Sequence, residues 1–426
     1  MRFAALLCAA LPLCGAGLRV GTFRADATPA MGEPLIWVAP VKQVLDPLWA
    51  KGVILDDGRT RYVLTTLDWC GIGGSTHRLF RTKIAKAAGT DVEHVVVQTL
   101  HQHTAPYIIG DAYEITDKLP APPLRMSQAY LEKVTDAIAA AVKEAAGKLE
   151  PFDSVGTGTA RVEQVASQRR IFLKGKLVSR VSTAGKDPAM AAAEEGFIDP
   201  DIRTVTLARG KTPLARLHFY ATHPQTFCCD GRVTADFVGA AREAREAAGK
   251  VFELYFTGCA GNVTVGKYND TSDGARAVLA KHLEAAMAAS EDATRYAPAG
   301  KAVWRTAPLT LPKKTALKPE GKTPDSIYRA ATSRVFAERK EPVQTASLQI
   351  GGANLVFLPG EPMLEFQKYA QGLGRFVAVA GYGDISPEYI CTDRAFEEGG
   401  YEPTAANGGP GSEKALKEAI RKLLGR

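Results

Sequence analysis

"VVVQTLHQHTAPY", residues 95–107, runs an apolar stretch straight into two histidines one residue apart, His101 and His103, in a chain with only seven. A short apolar run that stops at polar or turn-forming residues marks a strand buried on both faces. In a strand, residues i and i+2 point to the same side. The spacing therefore predicts that both histidines face one site, or that one binds a metal while the other handles protons. Alone, the pair also fits histidines that hydrogen-bond at a strand end.

The same unit recurs along the chain. "RYVLTTLDWCG" stops near Asp68, "LARLHFYATH" at His223 and "VFELYFTGCAGN" at glycines, while "NLVFLPGE" stops at Glu361 and "FVAVAGYGD" at Asp384. Between these runs lie amphipathic helix patterns. "STHRLFRTKIAKAAG" is expected to start at a Ser cap and end at Gly89; "SQAYLEKVTDAIAAAVKEAAGKL" and "TADFVGAAREAREAAGK" are Ala-rich helices. The alternation predicts an α/β fold: a mixed, largely buried β-sheet flanked by helices. Ligands in such folds gather beyond the carboxyl ends of the strands. His101, His103, His223, the glycine loop and Glu361 all fall there.

Composition sets the outer limits. With 426 residues, 46% hydrophobic and 23% charged, the chain can bury one large core or two ordinary ones. The net charge of +7 is spread among acidic residues on helix-like segments and reads as solvated faces. No motif supports nucleic-acid binding.

The opening "MRFAALLCAALPLCGAGLRVG" reads as a secretory signal cut near Gly17, too short to span a bilayer. The expected mature chain, residues 18–426, is secreted or periplasmic. Cleavage would remove Cys8 and Cys14 and leave five cysteines, an odd number without zinc-ribbon spacing. Because the adjacent Cys228 and Cys229 are not expected to bridge, no disulfide framework is predicted.

Residues 108–125 and 391–412, rich in Pro, Gly and turn formers, read as long irregular loops of the kind that form lids or rims. Leu416, Ile420, Leu423 and Leu424 make one apolar stripe near the C-terminus. That stripe reads first as docked on the core, with peripheral membrane contact as the lesser expectation.

Imidazole suits zinc, and hydrolytic zinc sites use three or more protein ligands with a position left for water. His223 and Glu361 close two further buried strands, which strengthens a metal reading; for Glu361 the competing role is to stabilise a helix N-terminus. His77, His94, His218 and His282 fall away from the inferred face and read as structural.

These segments resemble the N-terminal catalytic domain of the neutral/alkaline (non-lysosomal) ceramidase family over roughly residues 19 to 425. "GTFRADATPAMGEPL" and "VLDPLWAKGVILDDG" resemble its opening segments, and "LHQHTAP" its T-H-T-H-(S/A)-(G/A)-P motif. "FYATHPQTF" is similar to its zinc-binding F-A-T-H segment, "GCAGNVT" to A-G-(D/N)-V-S and "LPGEP" to P-G-E. "EYICTDRAFEEGGYEPT" supplies Tyr389 and Tyr401 at the family's twelve-residue spacing.

The resemblance implies a single catalytic domain over 18–426 that holds Zn2+ through His101, His223, Glu361 and Tyr389. It places His103, Tyr401 and Arg169, with Arg170 as the alternative arginine, at the reacting centre. The family's catalytic serine falls on Thr264, and the family's C-terminal immunoglobulin-like domain is expected to be lacking. The implied activity is zinc-dependent hydrolysis of an N-acyl amide in a ceramide-like lipid. Two alternatives stay open: a zinc hydrolase of the same fold acting on another ester or amide, such as a carbohydrate derivative, and a non-catalytic binding protein with a structural metal.

Overall fold

All six apolar runs are strands, and they pair two by two. In this computed structural model, which describes residues 17–319 and 321–426, Arg61–Leu67 lies parallel to Val95–Thr99. Thr212–Tyr220 lies parallel to Phe252–Thr257, and Ala353–Phe357 to Val377–Ala380. Parallel neighbours need a crossover. A helix supplies each one: Gly74–Ala88, Asp236–Gly249 and Leu364–Gly372. The frame is thus three βαβ units. Except for Gly17, the expected signal segment lies outside the described residues.

Each parallel pair is the edge of a larger sheet, of five, five and four strands, whose remaining neighbours are antiparallel. That makes the sheets mixed, as the sequence predicts. The three edges meet through polar bonds. Thr66 donates to Tyr255 O (2.9 Å) and Thr257 to Leu100 O (2.7 Å). The Gln98 amide donates to Leu358 O (3.0 Å) and Gly381 O (2.8 Å). These bonds satisfy buried donors where the units join and bring the carboxyl ends of all three together.

The burial explains why the runs are continuously apolar. Val95 and Val97 face one core with Phe80, Ile84 and Ile138, while Val96 faces a second with Leu64, Leu217 and Phe256. Both faces of the strand are therefore covered, and each such valine contributes roughly 1.5–3 kcal/mol relative to exposure.

Several local expectations change. The first crossover helix begins at Gly74 after Gly73, not at a Ser cap, because the Ser75 N–H is taken by Asp111 (2.6 Å); its end at Gly89, φ +67, is as predicted. The 108–125 stretch contains the helix Gly110–Thr116, and 391–412 contains Asp393–Glu398 and Tyr401–Ala405. The C-terminal stripe is docked, with Leu416, Ile420 and Leu423 buried in the third core. Among the described residues no helix is long and apolar enough to cross a membrane. Cys228 and Cys229 are bonded to each other, against the sequence expectation.

Candidate metal centre and reacting residues

The strand at 95 ends at Thr99, so the i, i+2 argument does not place the histidine pair. A loop does. Its Leu100 N–H donates to Leu67 O and its His101 N–H to Trp69 O, both at 3.0 Å, continuing the pairing past the sheet. His101 takes a left-handed φ of +69, uncommon for a non-glycine residue and a conformation that the surroundings must impose. The rings of His101 and His103 still share one site, edge to face at 5.1 Å.

Beneath the loop, both Asp68 oxygens accept from Arg242 at 2.7 Å, with both side chains fully buried, and Gln102 donates to the Asp68 carbonyl.

The second unit delivers His223, whose Nδ1 donates to Ala260 O at 2.6 Å; His101 Nδ1 likewise donates to Cys70 O at 2.7 Å. A carbonyl only accepts, so each Nδ1 carries a proton and each Nε2 is turned inward, the usual orientation of metal-binding histidines. The third unit brings Glu361, its Oε2 lying 3.1 Å from His101 Nε2 and 3.2 Å from His223 Nε2. The His101 contact lacks hydrogen-bond geometry, which leaves Nε2 a buried atom without a partner.

Two glycines permit this approach. A β-carbon on Gly261 would sit 2.6 Å from Glu361 O, and one on Gly360, φ +63, 2.6 Å from Glu388 O.

Electrostatically the cluster calls for one positive charge. Burial alone would keep His101 neutral, but the Glu361 carboxylate outweighs it and raises the imidazolium to about 10. Burial pushes His223 down to about 4. Burial would raise Glu361, yet the His101 charge and the hydrogen bond with His223 hold it well below the carboxylate range. Two nitrogens and a carboxylate oxygen, all buried and within 4.8 Å of one another, are a donor set that suits a dication in place of that proton.

Around the cluster stand the other sequence-selected residues. Tyr389 is buried, its ring 6.4 Å from and nearly parallel to that of His223, and its hydroxyl accepts from Arg169 at 2.9 Å. Arg169 also donates to Gly261 O (3.1 Å), and its guanidinium is 5.7 and 5.8 Å from the Tyr389 and Tyr401 rings. Arg170 points elsewhere, pairing with Glu398 and Glu402 at 3.0 Å, so of the two it is Arg169 that reaches Tyr389. Tyr401 packs edge to face on Tyr389 at 5.6 Å and is 42% exposed, which opens the group to solvent on that side. His103 is buried, and its Nε2 has no partner. Burial, then the positive charge of His101, hold it well below the histidine range, hence neutral. Thr264 is fully buried and accepts from the Gly266 N–H (3.1 Å); none of its hydrogen bonds reaches the cluster.

Sequence reading missed two neighbours. Tyr382 stacks on His101 at 4.3 Å, and its hydroxyl lies 3.5 Å from His223 Nδ1. It follows the end of its strand at Ala380 by two residues, as His101 follows Thr99, and shares the left-handed φ (+63). Gln225 bonds His103 Nδ1 at 3.0 Å. His218 belongs to a separate buried network with Glu253 (2.9 Å), Arg216 and Thr204. His77 bonds Val97 O. With Glu291, His218 and Glu253 make a second set of metal-ligand types, and neither His218 nor His77 bonds a residue of the His101–His223–Glu361 cluster.

Three βαβ units with a His–His–Glu cluster at their joined carboxyl ends are arranged here on a ceramidase-like fold. The crystal structure of neutral ceramidase from Pseudomonas aeruginosa is similar over 96% of this chain and 74% of that one, with a TM-score of 0.73 at 15% identity. A ceramidase complexed with C2 is similar over 96% and 75%, with a TM-score of 0.71 at 15% identity. No family model and no curated protein matches the chain. At these identities the likeness is one of fold.

Proposed function

We propose that this protein is a zinc-dependent hydrolase of ceramidase type that cleaves an N-acyl amide. The observation that carries this reading is the convergence of His101 Nε2 and His223 Nε2 on one Glu361 oxygen, with both Nδ1 atoms committed to backbone carbonyls. His101, His223, Glu361 and Tyr389 would hold the ion. When bound, zinc supplies Lewis acidity and lowers the pKa of a water molecule to about 7.

The chain's own residues do the rest. Arg169 fixes Tyr389 through its 2.9 Å bond and holds a positive charge where the carbonyl oxygen gains negative charge. Neutral His103 offers its free Nε2 for proton transfer, and Tyr401, on the solvent side, serves as donor to the leaving group. Thr264, whose oxygen accepts from the Gly266 N–H, is assigned an orienting role and not attack, because a zinc-activated water removes the need for a side-chain nucleophile.

A second reading, hydrolysis of another ester or amide such as a carbohydrate derivative, is favoured by the charge beside Tyr401. Arg169 stands 5.8 Å from the half-exposed Tyr401 ring, a cationic, solvent-facing setting that suits a polar group. A panel of fluorogenic acyl amides and esters, with N-acyl sphingosine and N-acyl sugar amines, tests both. Turnover of the sphingolipid supports the first reading; turnover of short polar substrates alone replaces it with the second. No turnover by the zinc-loaded protein on any of them leaves a binding protein. Export after cleavage near Gly17 is part of the proposal, and N-terminal sequencing of exported protein checks it.

A further inference from the structure

His103 is gripped from one side by a single loop. Gln225 Nε2 lies 3.0 Å from its Nδ1, and Cys228 Sγ lies 3.8 Å from the same atom. The Cys229 N–H donates to the His103 carbonyl at 3.3 Å, so the loop holds both the backbone and the ring. Cys228 is bonded to Cys229, and Cys229 has a left-handed φ of +62. A bond between adjacent cysteines closes a small ring containing their own peptide unit. It removes the freedom by which Cys229 would leave a backbone region that non-glycine residues rarely occupy.

With Nδ1 taken up by this loop, only Nε2 is left to enter the reacting centre, and it is the buried atom without a partner. Neither cysteine carries an expected catalytic or metal-binding role, and the other described cysteines, Cys70, Cys259 and Cys391, are free and buried.

We infer that the Cys228–Cys229 disulfide is a positioning element for His103, so that closing it aligns Nε2 and opening it costs turnover without costing metal. The inference rests on the reacting role proposed for His103. An oxidising compartment outside the cytoplasm keeps such a bond closed. Opening it needs a reductant. A water-soluble phosphine attacks one sulfur, and the pair of electrons breaks the S–S bond. Water then supplies the oxygen of the phosphine oxide and the two protons of the thiols.

The test uses the zinc-loaded full chain. Peptide mass mapping after alkylation establishes the bond before and after phosphine treatment. With the bond open, kcat is expected to fall about ten- to a hundredfold, the scale of a misplaced reacting group, with KM and zinc per chain unchanged and recovery on reoxidation. Cys228→Ala/Cys229→Ala should behave as the reduced protein does and be insensitive to phosphine. Hydrogen exchange at the Cys229 amide should quicken on reduction. That readout needs no substrate, so it decides the inference even if the hydrolase reading fails. Two free thiols in the untreated, air-oxidised protein would overturn the inference. So would a verified opening that leaves Cys229 exchange unchanged or, in an active protein, leaves kcat unchanged.

Discussion

Glu361 and Tyr389 stand directly opposite each other on two short parallel strands, Glu361–Pro362 and Tyr389–Ile390. Residues paired in this way project to the same face, so a carboxylate from the third βαβ unit and a phenol from a later segment reach the same space. The Glu361 N–H donates to Glu388 O at 2.8 Å, which fixes the register.

Zinc binding should therefore release protons from both His101 and Tyr389. His101, raised to about 10 by Glu361, is protonated at pH 8 and must lose that proton to bind a metal. Tyr389, raised well above 10 by burial, is also protonated and would ligate as phenolate. The sign is that zinc affinity falls as pH falls. Calorimetry at pH 8 in buffers of different ionisation enthalpy should count about two protons per zinc in wild type and about one in Tyr389→Phe. The same count in both would remove Tyr389 from the ligand set.

Asp68 and Arg242 form a fully buried, two-point ion pair under the histidine loop. Arg242→Met leaves a buried carboxylate without its partner and should cost roughly 3–5 kcal/mol in urea unfolding. Asp68→Leu/Arg242→Met, which removes both charges, should recover much of that. A single variant as stable as wild type would contradict the pair's role.

Tyr401→Phe and His103→Gln should each lose roughly a hundredfold or more in kcat while keeping full zinc, because the proposal assigns both to proton handling and not to holding the ion. Loss of metal from either would show the ligand set to be wrong.

Thr264→Val keeps the shape and removes the hydroxyl. If that hydroxyl orients, as proposed, the loss should be about ten- to a hundredfold, from one hydrogen bond. Mass spectrometry should find no covalent intermediate. An acyl group trapped on Thr264 would make it the nucleophile.

The fold was legible wherever a strand is covered on both faces, because such strands must be apolar throughout; Val95, Val96 and Val97 face two different cores. The site was legible less directly. Strand periodicity pointed to His101 and His103, yet the strand stops at Thr99 and a left-handed turn at His101 does the work. That turn depends on carbonyls of the neighbouring loop, which no local pattern in the sequence encodes. Tyr382 carries no motif; its place two residues beyond an apolar run was the available signal. The Cys228–Cys229 bond and Gln225 depend on the path of a loop that carries no periodicity. The resemblance pointed to Arg169 with Arg170 as the alternative; in the fold Arg169 bonds Tyr389, while Arg170 pairs with Glu398 and Glu402, far along the chain.

The central claim is that His101, His223 and Glu361 hold a zinc ion. Metal per chain, measured by plasma mass spectrometry on purified wild type, His101→Ala, His223→Ala and Glu361→Gln, tests it most directly. One zinc is expected in wild type and little or none in the three variants, with the variants still folded by circular dichroism. Full zinc in all three, or none in wild type supplied with zinc, would contradict it.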